Sequence, residues 1–263
     1  MGFYLGNIYI DRALYAVITD TKDNVLAVAD QVSNFAIDIT AESKEINDAR
    51  GRLLQKIYTA KAGTFTLTSQ LLHVPTLAIA NGEDVIIASD SDKIEIPYFK
   101  KYASTETDIT LDGVVDGSVT VYQYLGNGAV GKAYTLGTSA SATQFVVSED
   151  GKLTLPTDSE STEYFVKCRR QIASGVLVNN KSGKFPNTVK VYVLALCGDP
   201  CSETRKPLYI ECPSVQPSPE TSFDLQSDST FEFKGDLQTN YCGGGDGVLY
   251  SLAVPNEEIE DED

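Results

Sequence analysis

Apolar and polar residues alternate with period two over much of this chain, the pattern of strands that bury one face. Ile8 to Ile10 and Leu14 to Ile18 are followed by Lys22-Asp23-Asn24 and then Val25 to Val28, which predicts a hairpin. Phe35, Ile37 and Ile39 alternate with polar neighbours as a half-buried strand, and Phe65 and Leu67 do so among Thr64, Thr66 and Thr68. Two stretches change period. From Ala41 to about Tyr58 the spacing of Leu53, Leu54, Ile57 and Tyr58 fits one helical face better than a strand, although Gly51 interrupts it and a long extended loop is the alternative. Ser69 reads as a helix N-cap ahead of Leu71, Leu72, Val74, Leu77 and Ile79, with Pro75 in the first turn or bending the segment and Asn81-Gly82 as the stop.

Strands resume at Val85 to Ala88 and Ile94 to Phe99, with Ser89 to Asp92 turning between them. Residues 105 to 180 carry shorter strands: Val119 to Leu125, Lys132 to Leu136, Gln144 to Val147, Leu153 to Leu155, Tyr164 to Cys168 and Gly175 to Val178. Asp150-Gly151 between two of them is a strong hairpin signal. Turns recur at the roughly 8 to 12 residue spacing of a small β-sandwich, which suggests an inserted module. The last strands are Thr188 to Leu196, Pro207 to Cys212, Ser222 to Leu225, Thr230 to Phe233 and Val248 to Val254. The expectation is a mainly β protein with one or two short helices. Glu257 to Asp263, six carboxylates in seven residues, reads as a solvated, disordered tail.

A hydrophobic content of 42% over 263 residues supports a real core, in one large domain or two modest ones. No run of about 18 apolar residues and no signal-peptide pattern is present, so the reading is a soluble chain made in a cytoplasm, with no membrane partner. The net charge of −16 repels phosphate and disfavours tight DNA binding, while leaving room for a surface that DNA passes without adhering.

The residues that could carry chemistry are sparse. His73 is the only histidine and sits in an apolar run, where a structural role is favoured over a catalytic base. The carboxylates are abundant, but no pair stands out as a hydrolase would need, and tryptophan is absent. Asp90-Ser91-Asp92 lacks the further ligands of a cation loop and reads as a solvated turn. Cys242-Gly243-Gly244-Gly245-Asp246-Gly247 is followed by neither the lysine nor the helix of a phosphate loop, and reads as a hairpin loop. Cys168, Cys197, Cys201, Cys212 and Cys242 are odd in number and lack paired knuckle spacing. Small buried thiols are the default, with zinc or one or two disulfides as alternatives. The expectation is a protein that is not an enzyme, with no catalytic, cofactor-binding or metal-binding residues.

Residues 33 to 82 carry S-N-F-A-I-D-I-T, an acidic stretch, then R-G-R-L-L-Q-K-I-Y-T-A-K-A-G-T-F-T-L-T-S-Q-L-L and L-A-I-A-N-G. This pattern resembles structural proteins of tailed bacteriophages. The stretch from Phe185-Pro186-Asn187-Thr188-Val189-Lys190-Val191 to Val248-Leu249-Tyr250-Ser251-Leu252 resembles the second half of phage tail tube proteins. The resemblance implies a tube-type β-sandwich or barrel domain formed by residues 1–104 and 185–256, with 105–184 as an inserted Ig-like β module and 257–263 as the acidic tail. It also implies a non-enzymatic virion protein, assembled in the host bacterial cytoplasm, that associates with itself into rings and with other virion proteins. In the family, loops such as Ala41 to Gly63 reach the next subunit or ring, and DNA passes through the lumen without specific binding. A capsid, neck or decoration protein, or a module that binds the host surface, is the alternative.

Overall fold

The structure, a computed structural model of the chain, describes residues 8–198, 205–222, 226, 229–239 and 247–255. Among them 57% lie in strands and 3% in a single helix, so the mainly β expectation holds. The chain divides into two compact units, one formed by Met1–Val85 with Val178–Asp263 and the other by Ile86–Leu177.

The first unit opens with β1 (Tyr9–Thr19), β2 (Val25–Ala29), β3 (Val32–Asn47), β4 (Leu53–Ser69) and the helix α1 (Val74–Asn81). The second unit then contributes β5 (Ile86–Ile87), β6 (Ile94–Ala103), β7 (Ile109–Thr110), β8 (Thr120–Gly126) and β9 (Ala129–Leu136). It continues with β10 (Gln144–Val147), β11 (Lys152–Thr154), β12 (Glu163–Ile172) and β13 (Val176–Leu177). The chain returns to the first unit for β14 (Val189–Gly198), β15 (Arg205–Pro217), β16 (Phe231–Leu237) and β17 (Ser251–Ala253).

In the first unit the strands pair antiparallel in the order β2-β1-β14-β15-β16-β4-β3, with β17 added to β15, and the sheet curls into a half-barrel. Alternate residues point inward: Val189, Val191 and Val193 of β14, Phe65 and Leu67 of β4, Phe233 and Leu237 of β16. The curl brings Ala27 and Ala29 of β2 into the same cluster, where their small side chains leave space for Ala80 of α1. Phe65 sits at the centre, its ring 6.1 Å from Phe35 and 5.5 Å from Phe233. The turn into β2 is tied by Asp20, whose Oδ1 accepts the Lys22 and Asn24 N–H groups.

The helix starts later than Ser69. Its N-cap is His73, and the Ser69 hydroxyl instead accepts the Leu71 N–H at 3.1 Å in the preceding turn. Pro75 lies in the first helical turn, where its missing N–H costs nothing. Gly82 ends the helix in the left-handed conformation (φ 66°), donating to Ile79 O, while Glu83 N–H reaches Ala78 O.

The helical expectation for Ala41 to Tyr58 is overturned. That segment is the far half of the β3–β4 hairpin, paired from Val32↔Ser69 to Asn47↔Leu53. Asp48 reverses the chain in its middle, so the apolar residues that fitted one helical face belong to the returning strand.

The second unit forms a sheet in the order β6-β12-β8-β9-β10-β11-β7, in which β9 and β10 run parallel, plus the small pair β5–β13. Val121, Tyr164, Val166, Phe145 and Leu153 fill its core. The buried phenols there are satisfied: Tyr134 Oη lies 2.7 Å from Ser161 Oγ and donates to Asp158 at 2.9 Å, and Tyr164 donates to Pro156 O. Gly151 (φ 74°) turns β10 into β11 at the anticipated Asp-Gly. The boundaries of this unit lie outside residues 105 and 184 at the first end and inside them at the second, because β6 pairs with β12 from Ile94↔Ile172 to Ala103↔Glu163.

Candidate assembly surface

The main path of the first unit's sheet ends in β2 and β3, each with one side not bonded to another strand among the described residues, while β17 lies off that path on β15. An edge offers unpaired N–H and C=O groups to any incoming strand, and soluble monomers usually blunt it with charge or proline. β2 is Val-Leu-Ala-Val-Ala, with Ala27 and Ala29 buried and Val25, Leu26 and Val28 exposed. It carries neither device.

The other edge is the longer one. On β4, Gly63, Phe65, Leu67 and Ser69 are buried in alternation, but from Leu53 to Ala62 every residue is exposed, as is every residue of β3 from Asp38 to Asn47. Both faces of the hairpin are therefore bare over this outer stretch, which extends roughly 30 Å at about 3.4 Å per residue. A two-stranded ribbon with no packed face is marginal in water. This one exposes Ile39, Ile46, Leu53, Leu54, Ile57 and Tyr58, and burying each such side chain is worth about 1.5–3 kcal/mol.

The arm is nevertheless well specified. Asp48 Oδ1 accepts the N–H groups of Arg50 and Arg52, both at 2.8 Å, and Oδ2 accepts from Arg52 Nε at 3.0 Å. The backbone bonds from Arg52 and Arg50 hold the Asp48 carboxyl below its usual range. Gly51 takes the positive φ of 78° that closes the turn. Lys56 and Glu45 face each other across the ladder at 3.5 Å. Irregularities at Glu42/Ser43 and Ile46/Asn47 add twist and redirect the side chains beyond them.

The residues weighed for chemistry are dispersed. His73 is half-buried beside a cavity of about 40 Å³ lined by Leu67, Leu71, Leu72 and Phe233, and its backbone oxygen accepts from Thr76 Oγ1 at 2.8 Å. Asp90-Ser91-Asp92 forms a turn in which Ser89 N–H reaches Asp92 O and Asp92 N–H reaches Ser89 Oγ. Cys168, Cys197 and Cys212 are separate, buried free thiols. Cys201, Cys242 and most of the glycine-rich loop lie outside the described residues, as do the predicted Ser222 to Leu225 strand beyond Ser222 and the acidic tail. No group of three or more metal-ligating side chains occurs among the described residues, and no helix among them is long and apolar enough to cross a membrane. The hairpin arm is what the sequence pattern missed. Asp48-Ala49-Arg50-Gly51, a turn signal in mid-segment, is the clue that would have divided it into two strands.

The curled antiparallel sheet with its apolar β2 edge, together with the β3–β4 ribbon exposed on both faces, offers extended strand surfaces to a partner. The chain matches the YomU/Tube protein family over residues 9–252 and belongs to that family. It is thereby a tube-type phage structural protein, consistent with a tail tube protein of the virion. No curated protein matches it.

Proposed function

We propose that this protein assembles with copies of itself into rings that stack as the tail tube, and that DNA passes through the lumen without specific binding. The observation that carries the reading is the β3–β4 arm: an ordered ribbon with both faces exposed gains its stability from a neighbouring subunit or ring. The unblunted β2 edge and the longer β3 edge, which carries Asp38, Glu42, Lys44 and Glu45, are the surfaces through which adjacent copies extend one sheet and close a ring. The charge of −16 gives such a channel walls that repel phosphate. On this reading the protein does no catalysis, its partners are itself and other virion proteins, and assembly takes place in the host bacterial cytoplasm. The second unit, inserted in the sequence of the tube domain, is an Ig-like module.

Replacing Glu42–Ala60 with an Asn-Gly turn, which leaves the directly paired Ala41 and Lys61 on either side of it, tests the reading. The parent protein gives rings or tubes by negative-stain microscopy and fast-sedimenting species. The shortened variant keeps its unfolding temperature, since the removed residues bury nothing in the subunit, and sediments as a monomer. A parent protein that stays monomeric at high concentration sinks the ring reading, and a shortened variant that still assembles removes the arm from it.

A further inference from the structure

The second unit buries one face of its sheet, through Tyr164, Val166 and Cys168 of β12, and exposes the other. Cross-strand pairing fixes what the exposed face carries. Lys101 of β6 lies opposite Phe165 of β12, which lies opposite Tyr122 of β8; in the next row Phe99 lies opposite Lys167. Residues directly opposite in an antiparallel ladder share a face, so rings and cations interleave over three strands. Phe99 is 65% exposed, an unusual position for a phenylalanine in mid-strand, and its ring stands 6.4 Å from that of Phe165. Lys101 Nζ donates to Tyr124 Oη at 2.8 Å and lies 4.1 Å from the centre of that ring, which fixes the platform's far end. Lys167 is exposed, with no carboxylate at ion-pair distance among the described residues, whereas Arg169 is engaged by Glu95 at 3.6 Å.

An aromatic face on which Lys101, Lys167 and Arg169 outnumber the carboxylates Glu95 and Glu163, on a chain of net charge −16, selects its ligand by chemistry. The exposed rings offer apolar area to flat partners, and the ammonium groups require an anion. Nucleic acid fits poorly. Duplex binding typically rests on about six to ten phosphate contacts, more than Lys101, Lys167 and Arg169 can provide, and the whole chain repels a dense polyphosphate. A polymer of rings, each with apolar faces and a single carboxylate, asks for fewer cations and uses the aromatic surface.

We propose that this face of the second unit binds an anionic polysaccharide of carboxylated pyranose rings, the sugar faces stacking on Phe99, Phe165 and Tyr122 and the carboxylates pairing with Lys167 and Lys101. The site is independent of ring assembly. Calorimetric titration of the full chain with polygalacturonate oligomers tests it, with dextran oligomers and oligo-dT as comparisons. Saturable binding to polygalacturonate is expected, weaker at higher salt and reduced at least tenfold by Phe99→Ala and by Lys167→Glu. Both positions are exposed, so the unfolding temperature of each variant stays at the parent value. Absence of saturable polygalacturonate binding overturns the proposal. So does equal affinity for dextran, tighter binding of oligo-dT, or affinity undiminished in both variants.

Discussion

Cysteine 212 shows how far its surroundings decide what a side chain can do. Its thiol is fully enclosed beside Val191 and Val215, and burial pushes it up to about 12. Burial also raises Cys168 and Cys197. Because the thiolate is the reactive form, a raised value means a protonated, inert group at pH 8. Iodoacetamide at pH 8, read by peptide mass spectrometry, is therefore expected to leave these three unmodified in the native protein and to label all three in guanidinium. Rapid native labelling of Cys212 would contradict this. Residues of this kind were legible in sequence, since Cys212, Phe65 and Leu67 sit where alternation places the buried face. The helix start was not, because Ser69 has the right chemistry for a cap but its hydroxyl is engaged by Leu71 N–H four residues too early.

At the scale of elements, local signals succeeded where one residue imposes a geometry and failed where pairing does. Asn81-Gly82 announced the end of α1, and Gly82 indeed takes the left-handed conformation there. A Cβ at that position would also collide with the Phe185 carbonyl. The left-handed backbone alone costs an L-residue roughly 1–2 kcal/mol, so Gly82→Ala is expected to destabilise the first unit by about 2 kcal/mol or more once the collision is relieved. Denaturant unfolding followed by circular dichroism measures this, and a variant with parent stability would show that the turn relaxes freely. The β3–β4 arm was illegible for the opposite reason. Its strands have no buried face, so the period-two signal that runs through Phe35, Ile37 and Ile39 stops there and does not resume before Gly63. What holds them is the ladder itself and the Asp48 turn, and only the turn leaves a trace in the sequence. An element specified by a partner outside the subunit is the kind that hydrophobic patterning cannot report.

For the whole molecule, charge is the term that opposes the proposed assembly. Each copy brings a net charge of −16, and packing copies around a lumen concentrates that charge. The gain comes from apolar arm and edge residues, whose burial is insensitive to dilute salt, whereas repulsion between exposed charges is screened over about 10 Å at 0.1 M ionic strength and about 3 Å at 1 M. Salt should therefore drive rings together. Acid is a less clean lever, although it also removes negative charge. Asp20, Asp23, Asp48 and Asp158 are held below the usual carboxylate range, Asp20 by the Asn24 side chain, Asp23 by Lys190, Asp48 by Arg52 N–H and Asp158 by Glu160 N–H. A carboxylate with a depressed value stabilises the fold fully above its unfolded value and loses that contribution as pH falls through the folded one. Acid thus loosens the turns while it neutralises the walls. Sedimentation velocity at pH 7.5 in 0.05 M and 0.5 M sodium chloride separates the two effects. A larger assembled fraction at 0.5 M is expected, and assembly that weakens with salt would mean that ion pairs between subunits, rather than the apolar arm and edges, hold the ring together.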